Sequence, residues 1–288
     1  MKFCFALSFS PLDQYVTLAK AADECGWDAV ACSDHVVNPE TITSVYPYTA
    51  DGGRRWEPFT EWPDCWVSIG AMAAVTERLQ FFTNVYVLPM RNPFNVAKAV
   101  GTAAVLSNNR VSLGIGMGWM EEEFAALEQP FARRGKRADE MIDVLHTLWS
   151  GGWVEHHGEF YDFGRIEMTP TPTQQVPIYV GGISKPAFKR AARNDGWVSD
   201  MHTTAEFAEI RQQLDAERAA IGRQDTDFAM VGSAVDAFDY DGYRKLEDVG
   251  VTHLLTMPWV FYSGFTDDLQ LRLDGIRRFA DDIISKFD

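Results

Sequence analysis

Disulfide chemistry, membrane insertion and polyanion binding find little to work with in this sequence. Its four cysteines, Cys4, Cys25, Cys32 and Cys65, are scattered over 288 residues. They form no Cys-x-x-Cys pair and no His-Cys cluster at zinc spacing, which argues against a disulfide frame and against a metal centre. His156 and His157 stand together among turn residues without a third ligand. No apolar run approaches the roughly 20 residues that span a bilayer. The apolar start of the chain meets Pro11 and Asp13 too soon for a signal peptide. A formal charge of -15 repels phosphate backbones and anionic lipid. Nucleic acid and membrane are therefore set aside, and a cytoplasmic protein with a small-molecule substrate is expected. A nucleophile elbow and a P-loop are missing as well.

What is present is alternation. Hydrophobic residues make up 46% of the chain, enough for a sizeable core. Short apolar runs at 2–9, 29–33, 79–88, 111–115, 178–181, 197–200, 228–235 and 253–257 read as strands. Helical spacing follows at 12–25, 64–75, 94–106, 121–127, 135–149, 186–194, 205–221 and from 267 onward. Strand then helix, repeated without a polar linker, specifies one α/β domain over 1–288, a (β/α)₈ TIM barrel. A doubly wound open sheet is the alternative. Two interruptions rich in proline and glycine, about 37–61 and 151–175, are insertions, and loops that long are usually functional.

In a barrel, chemistry gathers at the C-terminal ends of the strands. The second strand ends in Asp34-His35, a pair that can move a proton near neutral pH or simply bond a loop. Asn84, ending the third, can bond a heterocycle edge or a strand end. Gly116 and Gly118 end the fourth and permit close backbone approach; the spacing is not a dinucleotide fingerprint. Glu121 to Glu123 behind them suit a helix start. Gly181, Gly182, Ile183 and Ser184 end the fifth strand just before a helix, a natural phosphate cup. That helix carries Lys185, Lys189, Arg190 and Arg193 and no acid between 185 and 193, either an ordinary solvated face or a seat for an anionic cofactor tail.

Together the segments "SDHVV", "YPYTADG", "VLPMRNP", "LGIGMGWMEEEFAALEQPFARRG", "HGEFYDF" and "PIYVGGISKPAFKRAARNDGW" resemble the luciferase-like monooxygenase superfamily, and its branch using the deazaflavin coenzyme F-420. The resemblance spans nearly the whole chain. It implies an oxidoreductase moving a hydride to or from a small, apolar organic substrate. It implies Asp34 beside the deazaflavin ring, His35 as proton donor or acceptor with its charge set partly by Asp34, and a cis peptide at Asn84-Val85 behind the ring. Gly116, Gly118, Gly181, Gly182, Ile183 and Ser184 would hold the cofactor, and the basic helix its oligoglutamate tail. Where sugar-phosphate dehydrogenases of this branch carry a glutamate, this chain has Trp119. Trp56, Trp119 and Trp259, with Trp62 and Trp153, become candidate lining residues, the insertions candidate lids, and a homodimer the expected assembly. FMN with an oxygen-using monooxygenase reaction is the alternative, and a non-catalytic flavin-binding barrel the second.

Overall fold

The computed structural model describes residues 1–287. Among these residues are eleven strands, β1 (Lys2–Ala6), β2 (Ala29–Cys32), β3 (Gln80–Thr83), β4 (Tyr86–Val87), β5 (Val111–Gly116), β6 (Trp153–His157), β7 (Asp162–Glu167), β8 (Ile178–Gly181), β9 (Gly196–His202), β10 (Ala229–Ala234) and β11 (His253–Thr256). The α-helices are α1 (Tyr15–Glu24), α2 (Cys65–Ala73), α3 (Pro93–Leu106), α4 (Glu121–Ala126), α5 (Arg134–Trp149), α6 (Lys185–Arg193), α7 (Thr204–Ala219), α8 (Tyr240–Asp248), α9 (Val260–Ser263) and α10 (Leu269–Asp282).

Side chains alternate in and out along each strand, and the sequence fits that period. In β1, Phe3 and Phe5 join the large core shared with the helices, while Cys4 and Ala6 face the inner cluster with Ala29, Ala31, Phe82, Val198, Val231 and Leu255. The inner residues are mostly small, so strands can close on one another. The parallel order is β3-β2-β1-β11-β10-β9-β8-β5. It is sealed by Phe81 opposite Val111 and Phe82 opposite Ser112 between β3 and β5. The result is a closed eight-stranded barrel ringed by helices, as the alternation specified; the open sheet is excluded. Helix starts are set by local chemistry. Pro93 opens α3 behind Asn92, whose side chain accepts from Phe94 N. Thr203 and Glu206 form a capping box on α7.

Three elements differ from the sequence reading. The third strand is not continuous over 79–88. A cis Asn84-Val85 peptide divides it into β3 and β4, at the bond the family resemblance indicated. The second insertion contains an antiparallel hairpin, β6 with β7. Helix α8 lies between β10 and β11, where no helix was expected; only Tyr243 and Leu246 of it are buried, too few to show a period. Among the described residues, no helix is long and apolar enough to cross a membrane.

Candidate functional site

At the C-terminal ends of the strands lies a cavity of about 1030 Å³. Val85 forms part of its floor, packed on the inner cluster of the barrel. The glycines around it are needed for space. A Cβ on Gly116 would sit 2.5 Å from Val85 Cγ2, and one on Gly181 would sit 3.0 Å from Val85 Cγ1. Gly118 has φ +76 and fits against Val87 and Phe124. Ser33 Oγ donates to Asn84 O at 3.1 Å, and Asn84 N donates to Cys32 O at 2.7 Å. The bulge is thus tied to the end of β2.

Asp34 and His35 both line this cavity, but they do not pair with each other. Asp34 is buried and bidentate with Arg91, at 2.6 and 2.5 Å, and accepts from Val87 N at 2.9 Å. Burial pushes its carboxyl above the ordinary value, while Arg91 and the Val87 N–H pull it back. Its visible task is to clamp β4 to the end of β2. The partner of His35 is Glu123, whose Oε2 lies 3.0 Å from Nδ1. Glu123 is only 2% exposed and also accepts from Val36 N at 2.6 Å. The expectation that Asp34 sets the state of His35 is therefore corrected, and one of the acids read as a helix-start charge is the partner. A carboxylate accepts only, so a bond from Nδ1–H to Glu123 leaves Nε2 outside this pair.

Aromatic rings enclose His35. Ring centroids of Trp56 and Trp62 lie 4.8 and 4.9 Å away and that of Trp119 6.4 Å away. Tyr46 packs on Trp119 at 5.0 Å. Most of this box comes from the first insertion, which adopts no regular strand or helix. Its start is pinned by Glu122, which accepts from the N–H and hydroxyl groups of both Thr43 and Ser44. Burial opposes ionisation of Glu122, but these bonds outweigh it and bring its carboxyl down to about 2. Its far end crosses the mouth, where Arg55 pairs with Asp200 of β9.

The other side of the cavity is basic and polar. Gly181, Gly182 and Ser184 line it beside the start of α6. Gly182 has φ +110, a conformation open to glycine alone, and Ser184 caps the helix. Arg134, which donates to Gly118 O at 3.0 Å, lines the same end with Arg133 and Arg190. Arg190 belongs to the basic helix singled out in the sequence, whereas Arg133 and Arg134, in the run Arg133-Arg134-Gly135, were not.

Several expected residues lie elsewhere. Trp259 does not line the cavity. It is 1% exposed and packs on Phe5, with Arg272 over its ring and Gly275 closing in behind, where a Cβ would meet Trp259 Cα at 2.4 Å. Trp153 is exposed on the hairpin. Ile183 is half exposed and is not among the lining residues. Two charges of the basic helix are already neutralised, since Arg190 and Arg193 both pair with Asp139 of α5. Lys185 and Lys189 remain exposed.

A family model described as luciferase-like monooxygenase matches residues 4–241. An uncharacterized protein of Mycobacterium tuberculosis is 37% identical over 288 residues, 99% of this chain and 100% of that protein. An F420-dependent glucose-6-phosphate dehydrogenase of Nakamurella multipartita is 27% identical and covers 96% of this chain and 77% of that protein. Two solved structures share the fold. An F420-dependent secondary alcohol dehydrogenase, in complex with an F420-acetone adduct, superposes with a TM-score of 0.78 at 15% identity, over 100% of this chain and 99% of that chain. The oxygenating constituent of 3,6-diketocamphane monooxygenase of Pseudomonas putida, in complex with FMN, gives 0.65 at 17% identity, over 81% and 66%.

Proposed function

Because this chain belongs to the luciferase-like monooxygenase family, we propose that it is an oxidoreductase that uses the deazaflavin coenzyme F-420 to transfer a hydride to or from a small, apolar organic substrate. The observation that carries this reading is His35, fixed through Nδ1 by the buried Glu123 and enclosed by indole rings beside a glycine-lined floor.

The residues present fit such a cofactor. Space for a flat ring exists over Val85, because Gly116 and Gly181 carry no side chain there. A phosphate suits the start of α6, where Gly182 and Ser184 meet the positive end of the helix and Arg134 stands close. When bound, the deazaflavin supplies a ring carbon that gives up or accepts a hydride. The chain does the rest. His35 Nε2 gives a proton to the substrate oxygen, or takes one from it. Glu123 steadies the imidazolium that forms on one side of that exchange. The box of Trp56, Trp62 and Trp119 excludes water, and Trp119 in place of a carboxylate favours an apolar substrate over a sugar phosphate.

The test is a fluorescence titration of the purified protein with coenzyme F-420 and, in parallel, with FMN. Tight binding of F-420 alone is expected. Binding of FMN alone would replace the hydride reading by an oxygen-using monooxygenase. The phosphate seat is checked separately. Valine at position 182 cannot adopt φ +110 without strain, and its Cβ would press on Ala187 at 3.2 Å. Gly182→Val should weaken cofactor affinity about tenfold or more, and unchanged affinity would remove this turn from the cofactor site.

A further inference from the structure

One wall of the cavity is formed by the end of β11, α9 and the turns after β1 and β10. Four phenylalanines line it, all more exposed than a core residue. Phe265 is 83% exposed, Phe238 58%, Phe9 43% and Phe261 41%. Isolated apolar residues on a surface need no explanation, but a set converging on one cavity does. The set is also ordered. Phe238 packs on Phe261 at 6.1 Å, and Phe261 is anchored on the buried Phe279 at 5.7 Å. Phe9 packs on Trp62 at 5.6 Å, and Trp62 packs on His35. The Phe9 end of this lining thus reaches the box around the imidazole, and Phe238, Phe261 and Phe265 line the same cavity.

Charge narrows the ligand further. Behind His35 stands the carboxylate of Glu123, while that of Asp34 is taken up by Arg91. Arg55, on the aromatic side, is engaged by Asp200. Of the other arginines that line the cavity, Arg133 pairs with Glu159, Arg190 with Asp139, and Arg134 donates to Gly118 O. The indole N–H groups of Trp56 and Trp62 are buried and find no acceptor among the described residues. An anionic head group would meet the Glu123 carboxylate behind the imidazole, whereas a neutral oxygen carries no charge for it to repel.

We propose that the substrate is a neutral carbonyl or hydroxyl compound with an extended apolar body, its oxygen at His35 and its body laid along Phe9, Phe238, Phe261 and Phe265. The proposal deepens the hydride-transfer reading and rests on it for the role of His35, but it can be tested without turnover. Straight-chain methyl ketones, from acetone to methyl nonyl ketone, are titrated into the protein with intrinsic tryptophan fluorescence as readout, in the absence and presence of coenzyme F-420. Affinity should rise roughly two- to fourfold per methylene until the wall is covered. The gain should flatten in Phe238→Ser and Phe265→Ser, side chains exposed enough that the fold does not depend on them. The carboxylate of matching length should bind at least tenfold more weakly.

Affinity independent of chain length, an unchanged slope in both variants, or equal binding of the carboxylate would overturn the proposal. The two readings fail separately. A length-dependent affinity without F-420 binding keeps the apolar wall and removes the deazaflavin. Binding of F-420 with no length dependence does the reverse.

Discussion

Alanine in place of His35 should lower turnover about a hundredfold or more, because general acid-base catalysis is worth that much, while cofactor affinity stays nearly the same. The two effects separate because the imidazole is packed in the aromatic box, whereas the glycine turn and Ser184 stand at the end of β8 and the start of α6. Glu123→Gln should act in the same direction but more weakly, by about tenfold, since it keeps the volume and loses the charge and the fixed tautomer. Steady-state kinetics beside a binding titration will check both. Unchanged turnover in the alanine variant would make His35 a packing residue held by Glu123.

Removing Arg91 should be the most costly single change to the fold of the site. Asp34 is 6% exposed, and Arg91 supplies both of its charged contacts. Taking away one partner of a buried pair costs about 3–5 kcal/mol, because the other charge is left without compensation. Burial already pushes the Asp34 carboxyl upward, so in Arg91→Ala it can escape by taking a proton. That limits the loss at acid pH and makes it grow as pH rises through the raised carboxyl, since the lone carboxylate must then ionise in place. Urea unfolding across a pH series measures this. The double variant Asp34→Asn with Arg91→Met should be less damaged than Arg91→Ala alone. A cost below about 1 kcal/mol for Arg91→Ala would mean that the clamp contributes little.

The barrel was legible because its strands carry their period openly. Lys2-Phe3-Cys4-Phe5-Ala6 sends large residues outward and small ones inward; eight apolar runs alternating with helices indicate a parallel sheet with a helical coat, and the pairing of β3 with β5 decides for the closed form over the open one. Helix α8 was not legible, since Gly242 and a polar sequence hide two buried side chains. The hairpin escaped because its residues are largely exposed and carry no hydrophobic alternation. In the site, strand ends told where to look but not which neighbour a side chain meets. Glu121, Glu122 and Glu123 are equivalent as helix-start acids. A rotation of about 100° per residue along a helix sends Glu122 to the insertion and Glu123 to His35. Trp259 illustrates the opposite error. A tryptophan after the last strand has the right address for a lining residue, yet it is turned onto Gly275 and Phe5 instead.

Two adjacent acids thus hold two separate things, and this separation has a bearing on how such a protein can diverge. Glu123 fixes the imidazole and Glu122 fixes the chain at Thr43 and Ser44, while Arg55 fastens the same chain again at Asp200. Residues 45–54 form a span between fixed posts. Doubling the length of such a span costs only about 0.6 kcal/mol in closure entropy. Ring size, shape and reach over the mouth can therefore be exchanged as a cassette, and new substrates tried, while the proton-handling pair beneath keeps its geometry.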